Sequence, residues 1–141
     1  MRVRELMTGG PISVAPQTPV FEARQLMMQA RIRHLLVLDH GRLVGIITDR
    51  DIRLNWPSQA TSLSVWELNY LLAKLTVDGI MSRTVISVGP DRPVADAARL
   101  MLDHKIGGLP VVEDGLVIGI LTETDIVRAF ARSAAASPAY R

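Results

Sequence analysis

Gly45-Ile46-Ile47-Thr48-Asp49-Arg50-Asp51 is answered 74 residues later by Gly119-Ile120-Leu121-Thr122-Glu123-Thr124-Asp125. The likeness runs outward from both heptapeptides. Residues 3–54 align with 77–128 without a gap, and 20 of the 52 pairs are identical. Val3, Met7, Ile12, Ser13, Val14, Pro16, Pro19 and Val20 recur as Val77, Met81, Ile86, Ser87, Val88, Pro90, Pro93 and Val94. A gapless internal repeat is one supersecondary unit used twice, and such a unit does not readily bury its apolar face alone. The two copies are therefore expected to share a core, with function lying between them.

Each copy reads as β-α-β-β-α. A short extended run, Ile12-Ser13-Val14 or Val85-Ile86-Ser87-Val88, is closed by Pro16 or Pro90. A helix is expected to begin at Pro19 or Pro93, since proline lacks only an N–H that the first turn leaves unpaired. Val20, Ala23, Met27 and Ala30 then follow at helical spacing, as do Val94, Ala97, Met101 and His104. Two aliphatic strands come next, joined through Asp39-His40-Gly41-Arg42 in one copy and Glu113-Asp114-Gly115 in the other. Glycine supplies the positive φ such a turn needs. The strands are runs of aliphatics rather than strict alternations, which predicts burial on both faces. A second helix opens at Thr48 and Thr122. Between the copies, Trp56-Pro57-Ser58-Gln59 reads as a loop. Ser64 and Glu67 have capping-box spacing ahead of Leu68, Leu71, Leu72 and Leu75, which predicts a linker helix. The domain boundaries expected are 1–54, a linker over 55–76, 77–130, and a fraying tail over 131–141.

Composition narrows the function. At 141 residues with 48% apolar content, the chain has the size of one ordinary domain. Aromatics make up only 4%, so the core must be aliphatic and methionine-filled. The absence of cysteine removes disulfides, thiolate metal sites and cysteine nucleophiles, and suits a reducing compartment. No apolar run approaches membrane-spanning length, so a soluble cytoplasmic protein is expected. The sequence pI of about 9.5 reflects fourteen arginines against two lysines, but net charge is only +2. That charge is dispersed rather than gathered in one run, which argues against nucleic acid as a partner.

The heptapeptide carries the chemistry. Thr followed by Asp three residues on is a reciprocal helix cap. Occurring twice at the end of a buried strand, it also suits a ribose phosphate. The helix N-terminus offers N–H groups to phosphate, and a carboxylate can accept both hydroxyls of a ribose diol.

The β-α-β-β-α order, the Pro19 and Pro93 helix starts, the segment Arg31-Ile32-Arg33-His34-Leu35-Leu36-Val37 and the two Thr-x-x-Asp ends resemble tandem cystathionine-β-synthase (CBS) domains, a Bateman module. The resemblance covers about residues 1–130. The linker from Ala60-Thr61-Ser62-Leu63 through Leu75 is also similar to small bacterial CBS-pair proteins of the acetoin-utilisation type. The resemblance implies an α/β fold (α+β in some schemes) of two repeats with pseudo-twofold symmetry and two clefts. Such clefts take AMP, ADP, ATP or another adenosyl ligand such as S-adenosylmethionine. By that analogy one cleft combines Thr48 and Asp51 with Thr84, Val85, Ile86, Ile106, Gly107, Gly108 and Pro110. The other combines Thr122 and Asp125 with Gly10, Ile12, Ser13, Ile32, Arg33 and His34. A homodimer and a separate effector protein are implied as partners, and the ligand would be regulatory, not a catalytic cofactor.

The copies differ where phosphate would sit. Arg33 and His34 occupy the positions of Gly107 and Gly108, Arg50 becomes Thr124, and Leu36 becomes Pro110. Two clefts of unequal affinity are expected. The other candidates read as structural: His40 and His104 as turn or surface groups, Met7, Met27, Met28, Met81 and Met101 as filler, and Trp56 and Trp66 as linker packing. No nucleophile with a paired base and no metal-ligand spacing is visible, so a non-enzymatic ligand sensor ranks first. An assembly module with empty clefts ranks second.

Overall fold

The computed structural model describes residues 1–57 and 63–133. The expected loop at Ser58-Gln59, the linker start at Ala60-Thr61-Ser62 and the tail beyond Ser133 lie outside the described residues. The chain opens with a one-turn helix α1 (Val3–Leu6) and a short strand β1 (Thr8–Gly9). There follow β2 (Ser13–Val14), α2 (Val20–Ala30), β3 (His34–Asp39), β4 (Arg42–Thr48), α3 (Asp49–Asn55), α4 (Val65–Lys74) and a 3-10 turn over Val77–Gly79. The last part holds α5 (Val94–His104), β5 (Gly108–Glu113), β6 (Leu116–Thr122) and α6 (Glu123–Ser133).

These elements form two compact units that cut across the repeat. A central unit spans Ile12–Val85, and a terminal unit joins Met1–Pro11 to the chain from Ile86 onward. Each unit thus takes the body of one repeat and the leading segment of the other. The docking bonds repeat at the 74-residue offset. Val3 N donates to Arg92 O at 2.9 Å, Arg4 N to Pro90 O at 2.8 Å, and Val94 N to Met1 O at 3.0 Å. In the central unit, Val77 N donates to Thr18 O, Asp78 N to Pro16 O and Val20 N to Leu75 O, each at 2.9 Å.

Instead of one shared core there are two. Val14, Ala23, Met27, Leu35, Val37 and Ile47 cluster with Val77, and their repeat partners Val88, Ala97, Met101, Leu109, Val111 and Leu121 cluster with Val3. Val3 and Val77 are both fully buried. The expectation that neither copy closes alone therefore holds in another form: each core is completed by a valine from the other copy's leading segment.

The strands follow the same logic. In the central unit β2 pairs parallel with β3, which pairs antiparallel with β4. In the terminal unit β6 lies between β5 and β1, antiparallel to both. Leu35, Leu36 and Val37 are fully buried, as the aliphatic run predicts, whereas β4 alternates. The run expected at Val85–Val88 makes only a single bridge, Val88 to Val111. Its counterpart in β2 gains a further bond, Leu36 N to Ile12 O at 3.4 Å. Pro110 stands at the Leu36 position and has no N–H to give.

Pro19 and Pro93 are N-caps, one residue before the helices expected to start on them. Pro19 stays extended at ψ 138°, which leaves the Val20 N–H for Leu75 O. The hairpin turns His40-Gly41 and Asp114-Gly115 have positive φ at both central residues, the geometry that matches strand twist in two-residue loops. The predicted linker helix is α4: Ser64 Oγ accepts from Glu67 N at 3.2 Å. Leu68, Leu72 and Leu75 are half-buried, but Leu71 is exposed and Trp66 is 84% exposed. Trp56 does pack, half-buried under the Arg24 guanidinium at 4.8 Å. Met28 departs from the filler role, being 64% exposed.

Gly45 and Gly119 explain themselves here. β1 crosses Gly119 through the pair Gly9–Gly119, and Ser82 bridges Ile46 beside Gly45. A Cβ on Gly119 would stand 2.8 Å from both Met7 Sδ and the Thr8 carbonyl oxygen. On Gly45 it would meet Met81 Sδ and stand 3.0 Å from the Ser82 carbonyl oxygen. Each leading segment therefore lies against a strand that must be bare at one position. Gly119→Ala and Gly45→Ala should each destabilise the fold by about 1–3 kcal/mol, the usual range for forced overpacking, and urea unfolding measures it. A loss below about 0.5 kcal/mol at both sites would contradict the close approach.

Candidate functional site

Both Thr-Asp pairs sit where the second strand of a hairpin hands over to a helix. In the central unit β4 ends at Thr48, whose ladder partner is His34 at the start of β3. Asp49 N donates to Arg33 O at 3.0 Å, closing that end of the hairpin. Thr48 is extended and caps α3: its Oγ1 accepts from Asp51 N at 3.1 Å, and Asp51 Oδ2 accepts from Thr48 N at 2.9 Å.

The terminal unit repeats this. Thr122 pairs with Gly108, and Glu123 N donates to Gly107 O at 2.9 Å. Asp125 Oδ2 accepts from Thr122 N at 2.9 Å and from its hydroxyl at 3.0 Å, while Thr122 Oγ1 lies 3.3 Å from Asp125 N. The structural role of the motif is thus fully present, since both caps are closed.

What the caps leave over is one carboxylate oxygen on each aspartate. Among the described residues, Asp51 Oδ1 takes part in no hydrogen bond or ion pair. Asp125, whose side chain is 11% exposed, has the Arg128 guanidinium 3.7 Å from its Oδ1. Position 54 in the first copy, which corresponds to Arg128, is Leu54 and is exposed. The i, i+3 spacing of Asp125 and Arg128 was readable in the sequence but was not singled out there.

The remaining expected site residues divide between the units. Ile12, Ser13, Ile32, Arg33, His34, Thr84 and Val85 belong to the central unit, and Gly10, Ile86, Ile106, Gly107, Gly108 and Pro110 to the terminal one. Within the central unit, Ser13 pairs with Leu36 and Ile12 O accepts from Leu36 N on one side of β3, while on the other side Arg33 and His34 adjoin the Thr48–Asp51 cap. Within the terminal unit, Gly107 and Gly108 adjoin the Thr122–Asp125 cap, and Pro110 faces Ile120 across the hairpin. Arg33 is exposed, Ile32 and His34 are half-buried, and Gly107 and Gly108 put no side chain in the corresponding place. Arg31 serves as the left-handed C-cap of α2 at φ 55°, as Lys105 does for α5 at φ 54°. Among the described residues no three His, Asp or Glu side chains gather into a metal site, and no helix is long and apolar enough to cross a membrane.

Comparison with known proteins agrees with this architecture. The CBS-domain model matches residues 3–56 and again 77–132. The L-aspartate semialdehyde sulfurtransferase of Methanocaldococcus jannaschii is 35% identical over 132 residues, 91% of this chain but only 23% of that protein's length. The CBS domain-containing protein YhcV of Bacillus subtilis is 31% identical over 88% of this chain and 81% of its own. Among solved structures, the CBS domain pair of protein MJ0100, in complex with 5′-methylthioadenosine and S-adenosyl-L-methionine, superimposes with a TM-score of 0.78 at 34% identity, covering 94% of this chain and 98% of that one. CBSX2 in complex with AMP gives 0.73 at 33% identity, over 94% and 97%. A putative acetoin utilization protein of Vibrio cholerae gives 0.77 at 28%, over 96% and 93%. Two matched copies spanning most of the chain, on a fold shared with CBS pairs, make this chain a member of the CBS-domain family.

Proposed function

We propose that this chain is a regulatory module that binds an adenine nucleotide or adenosyl ligand and passes its occupancy to a partner. One observation carries the reading: each unit holds an aspartate whose Oδ2 is locked in a helix cap while Oδ1 stays outside the cap, at the end of the strand that leads into the helix. A carboxylate oxygen held in this way can accept hydrogen bonds from ribose hydroxyls. The complexes of MJ0100 with 5′-methylthioadenosine and S-adenosyl-L-methionine, and of CBSX2 with AMP, support the ligand class. Each unit's cap would hold the ribose of one ligand. Its regulatory effect equals its differential affinity for the two states of the module. No catalytic step is assigned.

The terminal unit's cap has a feature the central one lacks: Asp125 faces Arg128, which a ligand diol must displace. Exposed ion pairs are worth about 0.2–1 kcal/mol, so that competition costs up to about fivefold in affinity. Homodimerisation is supported by Met28 and Leu102, at the same repeat position in α2 and α5, which are 64% and 78% exposed.

Thermal shift against AMP, ADP, ATP, NAD and S-adenosylmethionine tests the reading. A ligand at a hundredfold excess over Kd should stabilise by about 2.7 kcal/mol. The shift should shrink in Asp51→Asn or Asp125→Asn, which keep an oxygen for the cap. No shift with any of the five ligands would point instead to an assembly module. Calorimetry then separates the sites. 5′-Methylthioadenosine should favour the Asp51 cap over the Asp125 cap, with Arg128→Leu narrowing the difference. Two equal, independent sites would sink the asymmetry.

A further inference from the structure

The leading segments dock through the same backbone bonds and the same apolar groups, Val3 for Val77 and Met7 for Met81, yet differ in charge. Arg2 and Arg4 of the first segment correspond to Thr76 and Asp78 of the second. The receiving edges differ in the complementary sense: Asp91 and Glu113 in the terminal unit correspond to Gln17 and Asp39 in the central one. Arg4 Nη2 lies 2.8 Å from Glu113 Oε2, its Nε 3.4 Å from Asp91 Oδ1, and Arg2 Nη1 3.7 Å from the same oxygen. In the central unit Asp78 Oδ1 accepts from the hydroxyl of its own segment's Thr76, and Asp39 Oδ1 is 2.8 Å from His40 Nδ1.

The opposite assignment of segments would lose these pairings. Asp78 would face Asp91 and Glu113, three carboxylates on one edge. Arg92, the cation in that stretch, is already held by Asp96 at 2.9 Å. Arg4 would exchange two carboxylates for Gln17 and the single Asp39. Backbone and apolar contacts cannot tell the segments apart, since Gly45 and Gly119 accept a methionine over them in the same way. Charge is the term that can. We propose that Asp91 and Glu113 form a charge-selective dock on the terminal unit, which admits the basic leading segment carrying Arg2 and Arg4 and rejects the acidic one carrying Asp78. The partner of this surface is the chain's own basic leading segment.

The chain has no cysteine of its own, so disulfide trapping reads the docking directly. Thr8 faces Ile120 across the β1–β6 ladder, and its counterpart Ser82 bridges Ile46. Residues directly opposite in an antiparallel pair lie within disulfide reach. Thr8→Cys with Ile120→Cys reports the observed docking, and Thr8→Cys with Ile46→Cys the reversed one. Each pair is scored as a cross-link within one chain. With native charges the first pair should cross-link at least tenfold more than the second, a margin on the order of three weak surface contacts. Exchanging charges with Arg4→Asp and Asp78→Arg should cut that ratio about tenfold. A ratio unchanged within twofold overturns the proposal. Should the exchanged protein fail to fold, the neutral pair Arg4→Gln and Asp78→Asn gives the same reading: a several-fold fall supports the dock, and no change refutes it.

Discussion

The structure depends on a backbone crossing a strand at a residue with no side chain. Thr8 and Ser82 bring their carbonyls against Gly119 and Gly45, and Met7 and Met81 lie over the same glycines. These crossings carry Val3 and Val77 into cores that would otherwise lack them. Each unit is then an aliphatic core of about the size a fifty-residue repeat can build, completed by its neighbour in sequence. Small units are marginal in stability, so one buried valine and one overlying methionine weigh heavily in each.

The crossings also fix where the candidate site lies. β4 and β6 begin beside the hairpin turns, pass under the leading segment at the glycine, and end at Thr48 and Thr122. Two residues separate the bare position from the cap in both strands. The glycine that admits the segment and the threonine that caps the helix therefore lie on one rigid strand. The same heptapeptide combines a structural requirement at its start with a ligand-ready carboxylate at its end. Its recurrence in the sequence alone could not separate these two demands.

Much of the fold was legible because it is local. The hairpin turns at Gly41 and Gly115, the Ser64–Glu67 cap and the Thr48–Asp51 reciprocity all follow from spacing within a few residues. What was not legible depends on long-range pairing. Nothing within residues 3–11 says that they dock on residues 86 onward, because the receiving edge sits about ninety residues away. The β2 counterpart near Val88 was overcalled for a similar reason: the missing donor belongs to Pro110, on the partner strand. The Thr-Asp pairs were found from their pattern, but the different surroundings of their free oxygens came from Arg128 and Leu54, one turn further on.

Native-state hydrogen exchange on the full chain carrying Val3→Ala tests the exchanged segments most directly. Removing a buried methyl pair from the leading segment should lower protection in β5, β6 and α5, residues 94–122, while residues 12–54, which directly follow that segment in sequence, keep theirs. Lost protection in 12–54 with residues 94–122 unaffected would contradict the exchange.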